Sequence, residues 1–184
     1  MPYLGYWQLF LKADLWVFFD VVQYNKRSWM NRNRILHPDS KQEFQYISVP
    51  IKKHTQGTLI REVVINEDEN WQQKIKGQLS VYKRLHAPFY DQTIAVVDKI
   101  LNYNRASFVE LCMHSMQLIA AFLEAPFNYK IASEIDFDQS QVQAPGDWAL
   151  EISKTLNANI YINPYSGYEI FDEKKYNNSG IELQ

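Results

Sequence analysis

The sequence predicts a three-layer α/β fold built on a mostly parallel sheet with a β-hairpin insertion, and three observations lead there. Residues 15–22 (LWVFFDVV) are apolar at every position but Asp20, the character of a parallel strand covered on both faces. From Asn70 onward the apolar residues recur with a helical period, which supplies helices to cover such a sheet. Between these regions, 44–51 and 59–65 read as strands joined by a polar KKHTQGT connection containing Gly57, so a hairpin is expected there. Phe44, Tyr46 and Val49 alternate with polar neighbours, which gives that hairpin one solvated face outside the main sheet.

In chain order, Leu4, Trp7, Phe10 and Leu11 fall at helical spacing and predict a short amphipathic helix over 4–13. The strand 15–22 follows and is expected to be buried, with Asp20 and Gln23 near its carboxyl end, where open α/β sheets bind ligands. After the hairpin, 71–85 is a helix with Gly77 inside, a choice that costs ~1 kcal/mol against alanine unless close packing demands it. Pro88 suits the first turn of a helix over 88–101. Ser107 with Glu110 three residues on forms a capping box that opens a third helix to about 124. A strand over 129–135, a polar loop, a helix capped by Asp147 to about 157 and a short strand at 159–163 follow. Residues 164–168 then turn sharply around Gly167. With no repeat, low-complexity tract or linker, residues 1–184 read as a single α/β domain.

The 184 residues are 46% hydrophobic and 15% aromatic, enough for a sizeable core and too apolar for disorder. Nineteen basic and 21 acidic residues leave a net charge of −2, without the basic excess of general nucleic-acid or membrane-surface binders. One cysteine, Cys112, excludes an internal disulfide and fits a reducing compartment; its apolar helical setting predicts burial. The N-terminus lacks a signal-peptide pattern, and the longest apolar region, 108–123, is too short and polar to span a bilayer. A cytoplasmic protein without membrane insertion is expected, with oligomerisation left open. No glycine-rich phosphate loop, metal-spaced histidine pair or nucleophile elbow occurs, so no cofactor or metal is expected. Any catalysis rests on positioning and electrostatics.

The chemistry concentrates after the apolar run, where nine residues carry Lys26, Arg27, Arg32 and Arg34 with Trp29, Asn31 and Asn33 between them. Guanidinium groups hold phosphates and carboxylates bidentately, while lysine acts as a point charge. Trp29 and Tyr24 can stack on a base or sugar, and Asn31 and Asn33 supply both donors and acceptors. A solvated loop with its cations spread over apolar surface accounts for the same residues equally well. Asp20 interrupts an apolar run, so its carboxylate must be paired, hydrogen-bonded or protonated; a structural ion pair and a general-base role both fit. The run Asn163-Pro164-Tyr165-Ser166-Gly167 is either a second binding loop, through Asn163, Ser166 and Gly167, or only a turn.

PYLGYWQLF, then ADLWVFFD, VVQY, KRSW and NRNRI, and later TLNANIYINPYSGYEIFD resemble the WbqC-like protein family in order and spacing over nearly the whole chain. The resemblance implies a place in O-antigen or other surface-polysaccharide synthesis. Relative to the family pattern, a first strand of the form KIAIMQP and a closing SIIDLL-type block are missing, so the chain looks shortened at both ends. Val21 stands where members often carry a second polar residue after the aspartate. The turn Tyr3-Leu4-Gly5-Tyr6 more weakly resembles the HxGH region of nucleotidyltransferases and pantothenate-synthetase-like ligases, with Tyr3 and Tyr6 in place of both histidines. That likeness implies a Rossmann-like sheet with nucleotide at its carboxyl edge.

Three functions compete. The first is a transferase that modifies a nucleotide-linked amino sugar for surface polysaccharide. Arg27, Arg32 and Arg34 would hold the diphosphate, Trp29 or Tyr24 would stack, and Asp20 would orient or deprotonate the acceptor amine. The second is a nucleotidyltransferase-like ligase that uses ATP. The third is a non-catalytic binding module of a polysaccharide assembly system. All three take a nucleotide sugar or another phosphorylated small molecule as partner, and none takes nucleic acid.

Overall fold

The computed structural model describes residues 4–26 and 28–184. Their α-helices and strands run α1 (Leu4–Phe10), β1 (Trp16–Phe18), β2 (Arg32–Leu36), β3 (Phe44–Ser48), α2 (Trp71–Arg84), α3 (Tyr90–Leu101), α4 (Phe108–Phe122), β4 (Tyr129–Ile131), α5 (Asp147–Thr155), β5 (Ile160–Tyr161), α6 (Glu173–Asn178) and β6 (Glu182–Leu183). The chain is mixed α/β. Its described strands associate as three two-stranded sheets, β1 with β4 and β5 with β6 in parallel and β2 with β3 antiparallel, and no continuous sheet joins them among these residues. The described residues group into two compact units, one within 20–127 and one in which 4–19 join Asn128–Gln184.

In the first unit the core gathers Tyr24, Val63, Ile65, Trp71, Ile75, Val97, Ile100, Leu101, Phe108 and Leu111. The helices form where the periodicity placed them. Ser107 caps α4, its hydroxyl accepting the Glu110 amide at 3.3 Å. α3 begins at Tyr90, later than Pro88, because Phe89 adopts a left-handed conformation (φ 63°) that no helix can continue through. Around Gly77 in α2 there is open space where a side chain would stand, so close packing does not explain that glycine.

The hairpin is differently composed from the expectation. Phe44–Ser48 pairs with Arg32–Leu36, in the register Arg32 to Ser48, Arg34 to Tyr46 and Leu36 to Phe44. Residues 59–65 are not a strand but hold a 3-10 turn, Ile60–Glu62, in which the Glu62 carboxylate accepts the Leu59 amide at 2.9 Å. What remains of the expected pairing is the single bridge between Ile51 and Ile65. The apolar run 59–65 is apolar because Val63 and Ile65 enter the core, not because it forms a ladder.

In the second unit β1 lies parallel to β4, Trp16 opposite Tyr129 and Phe18 opposite Ile131. The strand is shorter than the apolar run, and the expected burial of 15–22 does not hold throughout. Phe19 is 41% exposed and 16–18 are half-buried; Asp20 and Val21 are the buried positions. Residues 129–135 likewise close early, with a 3-10 turn at Ala132–Glu134. A separate small core joins Leu150, Tyr176 and Ile181, with Tyr161, Phe171 and Leu183 against it. Burial pushes the Tyr161 hydroxyl up to about 12. The residue before α5 is Gly146, so Asp147 is the first helical residue. Its carboxylate accepts the Gln143 and Ala144 amides at 3.1 and 2.9 Å and the Lys175 ammonium at 2.7 and 2.9 Å. The lysine first, then the amides, hold it below the usual carboxylate range against the opposing effect of burial. No helix among the described residues is long and apolar enough to cross a membrane.

Candidate functional site

The basic segment is not all loop, because its last three residues, Arg32, Asn33 and Arg34, open β2. Side chains two apart on a strand share a face, so Arg32 and Arg34 project together, and Ile35 between Arg34 and Leu36 turns into the core. The antiparallel register brings Phe44 and Tyr46 onto the arginine face. The Arg34 guanidinium carbon sits 4.1 Å from the Phe44 ring centre, 4.7 Å from Trp29 and 5.8 Å from Tyr46. That of Arg32 lies 4.8 Å from Tyr46 and 5.4 Å from Trp29. Two cations are thus layered with three aromatic rings, each contact within the range of cation–π attraction.

Stacking fixes a guanidinium plane and leaves its N–H edges directed outward, the geometry in which arginine forks onto an oxyanion. Arg34 is exposed, and no carboxylate lies within ion-pairing distance of it among the described residues. Trp29 is 50% exposed, so the face carries an apolar surface beside its charge. Such a face can hold a phosphorylated ligand with a flat group against the indole.

The other predicted residues divide by what they touch. Asn31 closes the hairpin end, its amide nitrogen donating to the Val49 carbonyl at 2.8 Å while its own carbonyl accepts the Val49 amide. Asn33 accepts the Arg34 amide through its side-chain oxygen at 2.8 Å. Lys26 donates to the His54 carbonyl at 3.2 Å. The Tyr24 ring is committed to the core, edge-on to His54 and Phe108, and burial raises its hydroxyl above the ordinary tyrosine value, with Cys112 adding to this. Gln23 is exposed and bridges to Leu59. Asp20 is 3% exposed, and its carbonyl accepts the Arg61 amide at 3.1 Å from the 3-10 turn. Tyr3 and Arg27 lie outside the described residues.

Tyr6, in the second unit, packs edge-on to Trp16 at 6.3 Å. Asn163 donates from its side chain to the Pro164 carbonyl at 3.0 Å and braces the turn that follows, the 3-10 helix Tyr165–Ile170. A side chain at Gly167 would meet that same amide nitrogen at 2.5 Å, so the glycine serves the turn. Ser166 is exposed on it.

Phe44 and Tyr46 were missed as site residues. Their alternation was visible, but only the pairing partner of β3 tells which side chains they face.

The sequence matches the model of the WbqC-like protein family over residues 1–184. The chain belongs to that family. A curated relative of this WbqC-like chain is the uncharacterized protein Rv1507c of Mycobacterium tuberculosis, 40% identical over 52 residues. That match takes in 28% of this chain and 21% of the relative, so only about a fifth of that protein's length is represented. No solved structure matches the chain.

Proposed function

We propose that this WbqC-like chain is a transferase that modifies a nucleotide-linked amino sugar for surface-polysaccharide synthesis in the cytoplasm. The observation that supports it is the layered face of Trp29, Arg32, Arg34, Phe44 and Tyr46, with Arg34 exposed and facing no carboxylate among the described residues. A diphosphate suits two guanidinium groups carried on one face of a strand, since a guanidinium fork takes two oxygens. Trp29 then covers a base or sugar ring. Asp20 orients or deprotonates the acceptor amine, whose nitrogen attacks the carbonyl carbon of an acyl donor while the donor's leaving group departs with its bonding electrons.

The test is a thermal-shift screen of nucleotides and nucleotide sugars, followed by mass spectrometry of the stabilising ligand incubated with acyl donors. A transferase produces a sugar of increased mass, and Asp20→Asn abolishes that product while leaving ligand binding in place. Binding without any product in wild type identifies a binding module instead. ATP-dependent adenylation of a carboxylic acid identifies a ligase.

A further inference from the structure

We propose that Tyr165 and Tyr168 form a ledge that binds the ring of an amino sugar. It rests on the reading above for the class of sugar alone, and the ledge is a separate site that lies wholly within the second unit. Tyr165 is 93% exposed, and its ring lies within 21° of parallel to that of Tyr168 with centres 6.4 Å apart. A tyrosine held so far into water adds almost nothing to a core, yet it presents a large flat apolar face.

The turn that carries it is braced on both sides. Asn163 grips the Pro164 carbonyl, and the Gly167 amide donates to the same oxygen at 2.9 Å. The Tyr168 hydroxyl donates to the Glu173 carboxylate at 2.7 Å, which fixes the second ring. A ledge already ordered binds without the entropic cost of arranging it.

Charge decides what it takes. Residues 165–173 (YSGYEIFDE) carry Glu169, Asp172 and Glu173 and no cation. Of the two lysines that follow, Lys174 is exposed and Lys175 is held by Asp147 at 2.7 Å, so the carboxylates remain in excess. Aromatic faces beside carboxylates attract an ammonium group. A pyranose bearing an amine meets both demands: its C–H face packs on Tyr165, and its ammonium faces Glu173, the carboxylate held at the Tyr168 hydroxyl.

The test is saturation-transfer NMR of the whole chain with D-glucosamine at about pH 6, where the amine is charged, and with D-glucose as the neutral counterpart. Glucosamine should bind at least about threefold more tightly than glucose. Tyr165→Ala should weaken glucosamine binding about three- to tenfold, the worth of one aromatic contact, and Tyr165→Phe should retain it. Equal binding by wild type and Tyr165→Ala, or equal binding of the two sugars, overturns the ledge. Uridine diphosphate titrated into the same samples reports on the hairpin face separately. Loss of diphosphate binding with glucosamine binding intact would count against the proposed function alone.

Discussion

Replacing Asp147 by Asn should destabilise the protein by about 2–3 kcal/mol at neutral pH. The carboxylate is 4% exposed and serves three donors, the Gln143 and Ala144 amides and the Lys175 ammonium. An amide has one acceptor oxygen, so either the loop amides or the lysine loses its partner and faces an NH2 group instead. Hydrogen bonds to a charged group contribute about 1.5–3 kcal/mol each. The Lys175 side chain is 42% exposed and can return to water, so its share is discounted and the loop amides dominate. Because the native carboxyl is held below its ordinary value of about 3.9, the unfolded chain takes up the proton first as pH falls. Its contribution is therefore complete above about pH 4–5 and lost as pH drops through the depressed native value. Urea unfolding of wild type and Asp147→Asn, followed by tryptophan fluorescence from pH 7 to pH 3, isolates this group, since the remaining titrations are common to both. A stability gap that stays constant over that range, or is below about 0.5 kcal/mol at pH 7, would refute the reasoning.

Two substitutions of glycine should act in opposite directions. Gly77→Ala, in the middle of α2 with open space around it, should stabilise by about 0.5–1 kcal/mol. At Gly146 a side chain would run into the Ile170 carbonyl oxygen, a backbone atom with little freedom to yield, so Gly146→Ala should cost about 1–3 kcal/mol. Thermal unfolding of both variants reads the two signs directly. Ser107→Ala removes the hydroxyl that caps α4 and should cost about 1 kcal/mol, measured as a shift of the urea midpoint at unchanged slope.

The helices were legible because their signals are local. Trp71, Ile75 and Val81 sit on one face of α2, and Ser107 marks the start of α4, so spacing and cap chemistry settle both without tertiary information. Strand pairing depends on partners distant in sequence. The run 32–36 is short and largely polar, with Ile35 its only buried side chain, so it reads as a charged loop until β3 is laid beside it. Conversely, 59–65 is apolar enough for a strand, yet its backbone turns at Ile60–Glu62 while Val63 and Ile65 still reach the core. The candidate site followed the same division. Trp29, Arg32 and Arg34 were visible from composition alone, whereas Phe44 and Tyr46 joined them through register. Tyr24 and Asn31 illustrate the limit of residue type as a guide, since an aromatic ring fit for stacking lies in the core and an amide fit for a ligand closes the hairpin.

The most direct test of the hairpin face is titration calorimetry of a nucleotide sugar selected by the thermal-shift screen into wild type, Arg34→Ala, Arg34→Lys and Arg105→Ala. Arg105 is exposed and no part of the layered face, so it controls for the loss of one positive charge. Arg34→Ala should weaken binding by about 1.5–3 kcal/mol, roughly ten- to a hundredfold, and Arg34→Lys should fail to restore it because the fork onto two oxygens is gone. Arg105→Ala should bind as wild type does. Equal affinity across all four proteins would contradict the anion-binding face and the transferase reading that stands on it.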